Sequence, residues 1–294
     1  MSESLDASRY REQLRSFLKE DLGAGDITTE TTVPPGLRAR GELVAKAPLV
    51  LAGLDLFCEV FRLLDSSVTA RAARQDGDEL CPGECPVRVL GPARTLLSGE
   101  RVALNLLQRL SGVATLARQF VRAVEGTGAR ILDTRKMTPG FRTLEKYAVR
   151  AGGGRNHRKD LAAAILIKEN HIRLAGGVAP ALEAAQVARG RAEWTEIEVT
   201  NFDELSDALQ HRPDVILLDN MTPAQVRRAV EHVRRAGSSH AAGAGAAKIL
   251  TEASGGITLA NVRAFAEAGV DWISVGALTH SAPAVDLSFE IEPA

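Results

Sequence analysis

The sequence predicts an α/β protein in two parts, an α+β region in roughly the first third and a run of βα units after it. Three observations carry this. From Arg130 onward, six short apolar stretches alternate with amphipathic helical ones. The stretches are continuously apolar, as are the strands of a parallel sheet covered on both faces. Nearly every stretch ends on an ionisable or phosphate-friendly residue: Asp133 with Arg135 and Lys136, Lys168, Glu196 with Glu198, Asp219, Ser254 before two glycines, and Gly276. Such strand ends converge on one mouth in an α/β barrel, which is where active sites of that fold sit, whereas a doubly wound sheet uses one or two of them. Six strands instead of eight predict a barrel that is incomplete or that borrows closure from the first region.

The elements follow in order. A charged helix is expected near Ala7 to Glu20, then the turn-rich DLGAGDITTETTVPPG, then β-like stretches such as GELVAKAPLVLAG. A long helix is expected after Ser98, read as its N-cap with Glu100 in the first turn. Val102, Leu106, Leu110, Val113, Ala117, Phe120 and Val124 recur along it at helical spacing. Its other stripe carries Arg101, Asn105, Gln108 and Arg109, which by pattern alone reads as a solvated face. The six strands then lie in RILDTRK, LAAAILIKEN, WTEIEVT, DVILLDN, KILTEASGG and VDWISVGAL, with helices in PALEAAQVARG, TPAQVRRAVEHVRR and TLANVRAFAEAG.

At 294 residues, 45% of them hydrophobic, burial is not limiting. No run approaches the roughly 20 apolar residues of a membrane span, and Met1 to Lys19 lacks the apolar centre of a signal peptide, so a cytoplasmic protein is expected, with no membrane partner. Cys58, Cys81 and Cys85 are too few for a disulfide framework. Cys81 and Cys85 in CPGECP suggest a turn shaped by Pro82 and Pro86 more than a zinc site, since no second Cys/His pair lies nearby. A net charge of −1 and 4% aromatic residues argue against nucleic-acid binding.

Within this near-neutral chain, Arg130 to Arg173 holds 11 Lys and Arg against 4 Asp and Glu, an excess of 7 positive charges. Charge focused this way, interleaved with apolar stretches and glycines, attracts polyanions such as phosphates and carboxylates. Arg135 and Arg158 are suited to clamping a planar carboxylate with two parallel hydrogen bonds; Lys136 and Lys168 are point charges for phosphate oxygens; His157 adds a tunable donor. Glu198 and Asp219 end neighbouring strands, as ion-pair partners or as holders of a hard cation such as Mg²⁺ that also takes phosphate oxygens. Ser254, Gly255 and Gly256, before a helix expected near Thr258, form one candidate phosphate cradle, and Gly276 with Ala277 a second.

DLGAGDITT, LNLLQRLSGVAT, DTRKMTPG, LEKYAVRAGGGRNHR, LIKENHI, EIEV, LLDN, EASGGI and GALTHS, in that order, resemble the quinolinate phosphoribosyltransferases of NAD biosynthesis over nearly the whole chain. The resemblance implies an N-terminal α/β sandwich domain (1–112, joined by the tail 284–294) and an incomplete α/β barrel (113–283), of the type II phosphoribosyltransferase kind. It implies Mg²⁺-dependent transfer of phosphoribosyl from phosphoribosyl pyrophosphate to quinolinate, with loss of carbon dioxide. It also implies a homodimer in which Arg101 reaches the partner's quinolinate, with Arg135, His157, Arg158 and Lys168 as the other quinolinate ligands. Lys136 and Lys168 would face phosphoribosyl pyrophosphate and the reacting centre. Glu198 and Asp219 would hold Mg²⁺ and the ribose hydroxyls, and Ser254, Gly255, Gly256, Gly276 and Ala277 the 5-phosphate. The chain departs from the family pattern at Asp160 to Ala163, at Met137 and at Thr251. Three other readings remain: a phosphoribosyltransferase for nicotinate, a Schiff-base aldolase using Lys168, and a silent phosphoribosyl-binding scaffold.

Overall fold

A computed structural model describes residues 5–239 and 248–294. The chain forms two compact units, one from residues 5–118, Phe141–Gly153 and Ser281–Ala294, the other from Gln119–Gly140 and the described part of Gly154–His280.

The first unit is built on a four-stranded antiparallel sheet, in the order Leu287–Pro293, Arg38–Ala45, Val87–Pro92, Thr69–Ala72. Arg38–Ala45 has every second residue buried, the two-residue period of a sheet with one face on a core. The core beneath it is aromatic. Phe57 and Phe61, from the helix Leu54–Leu64, meet Phe289 of the last strand with ring centroids 5.4 and 5.3 Å apart. Phe289 fits because Gly41 has no side chain: a Cβ there would stand 2.0 Å from the ring.

The opening helical stretch is a 3₁₀ turn, Ala7–Tyr10, running into the α-helix Arg11–Leu22. The long helix spans Ala93–Ala123, beginning directly after the strand that ends at Pro92. Ser98 is therefore not its N-cap; the Ser98 hydroxyl instead donates to Asp26 at 2.9 Å. The polar stripe on this helix is divided. Arg101 and Asn105 are exposed, as a solvated face would be. Gln108 donates to the carbonyl of Leu287, and Arg109 donates to the carbonyl of Ala282 and to the fully buried carboxylate of Glu145 at 2.7 Å. Cys81 and Cys85 belong to a turn in which Glu84 accepts from the Cys81 main-chain N–H.

The second unit carries all six expected strands: β1 (Arg130–Leu132), β2 (Ile165–Ile167), β3 (Thr195–Val199), β4 (Val215–Asp219), β5 (Leu250–Ser254) and β6 (Trp272–Ser274). They form one parallel sheet in the order β1-β6-β5-β4-β3-β2. The order steps one way from β2 to β6 and then to β1, without the reversal that defines a doubly wound sheet. This is the winding of a barrel, left open because β1 and β2 do not pair among the described residues. The covering helices show why they form. Phe202–His211 is capped by Asn201, whose side chain accepts from Glu204 N–H at 2.9 Å. Pro223–Ser239 buries Val226, Ala229, Val230 and Val233 along one stripe. The helix after the glycine pair starts at Val262, not near Thr258; a turn opens it, in which Thr258 N–H donates to the Asn261 side chain. No helix among the described residues is long and apolar enough to cross a membrane.

Candidate active site

At the C-terminal ends of the six strands the second unit encloses a cavity of about 720 Å³, within the range of small-molecule sites. Arg135, Lys136, His157, Arg158, Lys168, Glu198, Asp219, Ser254, Gly255, Gly256, Gly276 and Ala277 all line it. Arg101 does not; it belongs to the first unit, with an exposed side chain whose nearest carboxylate is Glu100 at 3.8 Å.

The basic wall is held from below by a buried carboxylate. Segment 154–158 runs beside β1 through a parallel bridge between Leu132 and Arg155. Asp133, fully buried, accepts from the main-chain N–H of His157 at 2.9 Å and from the Asn156 side chain at 2.5 Å. The next two residues are thereby presented to the cavity. Arg158 is buried, with one terminal nitrogen donating to the Ala164 carbonyl at 3.0 Å. Its Nε, and the Nε of Arg135, are buried without a hydrogen-bond partner. Burial, and then the positive charge of Arg135, push the Arg158 guanidinium below its ordinary value. One buried and one half-buried cation on the same wall, each with a buried spare donor, describe a seat for a planar anion.

Opposite lie the oxygens. Burial and then the charge of Asp219 push the Glu198 carboxyl up; burial pushes Asp219 up, against Asn220 and the nearby lysines. Lys168 stands 4.0 Å from Glu198. Two half-buried carboxylates, both costly to ionise, suit a hard divalent cation, which takes oxygen donors and leaves positions for phosphate and water.

The glycine pair after β5 is required by geometry. Gly255 has φ +92°, and a Cβ there would lie 2.2 Å from the Asn220 side-chain oxygen and 2.9 Å from its main-chain nitrogen. Gly256 faces open space, with room for a ligand against its backbone. Gly276 lies at the end of β6, where a Cβ would meet His280 and the Lys136 stem at 3.1 and 3.2 Å. Of the departures from the family pattern, Asp160 accepts from the N–H groups of Ala162 and Ala163, and Thr251 is tied to Asp271. Met137 has no evident structural consequence.

Sequence reasoning did not select Glu252, Asn220 or His280, which also line the cavity. Glu252 was within reach: it stands two residues before Ser254 on one strand, so both side chains point to the same face.

The N-terminal and C-terminal domain models of quinolinate phosphoribosyl transferase match residues 26–111 and 113–290. The chain is 43% identical over 283 residues to a probable carboxylating nicotinate-nucleotide pyrophosphorylase of Bacillus subtilis, covering 96% of this chain and 93% of the relative. It is 42% identical to the enzyme of Mycobacterium leprae, covering 96% of each. Among solved structures, NadC of Streptococcus pyogenes superposes with a TM-score of 0.92 at 35% identity over all of both chains. The nicotinate-nucleotide pyrophosphorylase of Francisella tularensis gives 0.90 at 35% over 98% of each. Open barrel, polyanion cavity and relatives together define a phosphoribosyltransferase enzyme. The chain belongs to the quinolinate phosphoribosyltransferase family.

Proposed function

We propose that this enzyme transfers the phosphoribosyl group of phosphoribosyl pyrophosphate to quinolinate, with decarboxylation to nicotinate mononucleotide, as a step of NAD biosynthesis. The observation that carries the substrate choice is the pair of guanidiniums of buried Arg158 and half-buried Arg135, each with a buried Nε lacking a partner. A dicarboxylate answers two such cations better than a monocarboxylate does.

Arg135 and Arg158, backed by His157 on the same wall and with Lys168 at the rim, hold the ring carboxylates and aim the ring nitrogen at the anomeric carbon; His157 acts through Arg158, its own nitrogens being engaged within the protein. The nitrogen lone pair forms the new C–N bond as the C–O bond to pyrophosphate breaks, through an oxocarbenium-like transition state. Lys136 and Lys168 face the charge that grows on the leaving group. Main-chain N–H groups at Ser254–Gly256 and Gly276–Ala277 take the 5-phosphate. Glu198 and Asp219 would hold Mg²⁺ and the ribose hydroxyls; the ion, when bound, neutralises pyrophosphate oxygens. The C2–carboxylate bond then breaks, releasing carbon dioxide and leaving its electron pair on C2, where the positive ring nitrogen stabilises it until a proton arrives.

Lys168 fits a Schiff-base aldolase poorly. Its side chain is half exposed beside Glu198 and lacks the apolar enclosure that keeps a lysine neutral. We place the enzyme in the cytoplasm, where its three free cysteines fit a reducing environment.

The test is mass analysis of products from purified protein with phosphoribosyl pyrophosphate, Mg²⁺ and either quinolinate or nicotinate. Nicotinate mononucleotide and carbon dioxide are expected from quinolinate alone, and a chelator that removes Mg²⁺ should abolish them. Product from nicotinate alone would transfer the assignment to that substrate, and undiminished turnover in chelator would remove the metal.

We further propose a homodimer in which Arg101 serves the partner's cavity, which accounts for an exposed arginine in an otherwise matching motif. Arg101→Ala and Lys136→Ala subunits, each inactive alone, should recover activity when mixed, because a hybrid dimer holds one intact site. Hybrids shown to form but without activity would refute the sharing.

A further inference from the structure

Beneath the mouth of the cavity lies a second layer of side chains that the mechanism above does not use. Residues two apart on a strand face the same way, so Glu198 and Ser254 at the mouth have Glu196 and Glu252 directly below them. Both lower carboxylates are fully buried, and both point at one imidazole. His157 Nε2 lies 3.0 Å from Glu196 Oε2 and 3.5 Å from Glu252 Oε2. Glu196 Oε2 also accepts from the Trp194 indole N–H at 3.1 Å, and the Trp194 ring meets the His157 ring edge-on. On its other side, His157 Nδ1 faces the main-chain N–H of Arg158 at 2.8 Å.

Buried carboxylates are costly unless something balances them. The remaining oxygen of Glu196 and both oxygens of Glu252 have no conventional partner among the described residues. Burial and the charge of Glu196 push the Glu252 carboxyl up, against the opposing influence of the neighbouring His157 and Ser274 side chains. Burial opposes a proton on His157, but the two carboxylates outweigh it and push the ring up to about 10. The Arg158 contact suits an unprotonated Nδ1, whereas the carboxylates favour the cation. A proton on Nε2 is common to both states, and only that proton is needed here.

Resting on the functional reading above, we propose that Glu196 and Glu252 are positioning residues for quinolinate: from the lower layer they grip the His157 ring at Nε2 and, through the His157–Arg158 main chain, set the Arg158 guanidinium against the cavity. The ring is a strut between the buried acids and the basic wall. A metal ion could answer the same three groups by donor type, but it would have to displace the Nε2 proton and stand beside the Trp194 N–H that already points at Glu196.

The test uses the full-length protein with Glu196→Gln, Glu252→Gln and Glu252→Ala. Loss of the grip is expected to raise the KM for quinolinate about tenfold while the KM for phosphoribosyl pyrophosphate moves by less than about twofold, because only the Arg158 wall shifts. Glu252→Gln, which keeps an acceptor, should show the smaller rise of the two Glu252 variants. Without any substrate, the Nε2 proton of His157, followed in protein labelled with ¹⁵N-histidine, should be protected from exchange in the parent enzyme and exposed in the variants. Equal rises in both KM values, or a proton equally protected in parent and variants, would overturn the proposal. So would one equivalent of transition metal bound to the parent and lost from the variants. The proton measurement needs no turnover, so an enzyme inactive on quinolinate would defeat the functional reading and leave the grip on His157 to be judged separately.

Discussion

Arg158→Ala is expected to weaken quinolinate binding about 10- to 150-fold, the equivalent of the 1.5–3 kcal/mol carried by a hydrogen bond to a charged group. Phosphoribosyl pyrophosphate binding should stay close to that of the parent. The reason is placement. The guanidinium is buried and one terminal nitrogen is already fixed by the Ala164 carbonyl, so the rest of the fork is aimed before a ligand arrives. Arg158→Lys should recover only part of the loss, because an ammonium cannot offer two parallel donors to a planar carboxylate. Calorimetric titration of each substrate into the two variants decides it. Parallel losses for both substrates would mean that Arg158 supports the cavity as a whole and does not select the dicarboxylate.

The second expectation concerns stability. Arg109→Met should destabilise the fold by about 3 kcal/mol, the lower end for breaking a buried ion pair, since Arg109 keeps part of its side chain in solvent. Glu145 is fully buried, and its 2.7 Å contact with Arg109 helps to offset the cost of holding a carboxylate away from water. Arg109 also ties the Ala282 carbonyl, so the loss extends to the segment that leads into the last strand. A melting temperature lower by roughly 6–12 °C in scanning calorimetry corresponds to this figure for a unit of this size. Adding Glu145→Leu to Arg109→Met should restore much of it, because an apolar pair of similar volume needs no compensation. A single variant that melts with the parent would show that Glu145 is satisfied without Arg109.

These two arginines show where the sequence was legible and where it was not. Arg158 could be found because it sits in a run of cations interleaved with strand ends, and the winding of βα units brings strand ends together by rule. The six strands were visible for a related reason: an apolar run of that length between helical patterns has few other places to go. Arg109 read as solvated because helical spacing records which residues share a face and carries nothing about what comes to cover it. Its partner is 36 residues away. Ser98 misled in the same way. Its hydroxyl had the chemistry of a cap, but Asp26, 72 residues earlier in the chain, takes that hydroxyl, and the helix begins at Ala93. Glu252 carries no strand-end mark, because it stands two residues inside its strand, behind Ser254. The alternation of side chains places a second set of groups one layer lower, and there the buried acids are found.

The strand Leu287–Pro293 also bears on how the molecule is made. It pairs along its length with Arg38–Ala45 and supplies the Phe289 ring that lies over Gly41. A ribosome emits these residues only after every strand of the parallel sheet has emerged. Until then the antiparallel sheet lacks one of its four strands, and its aromatic core has an open side where Phe57 and Phe61 would meet water. Although most of it is encoded ahead of the parallel sheet, the first unit cannot be completed until that sheet has emerged, and the growing chain carries the unfinished apolar face until then.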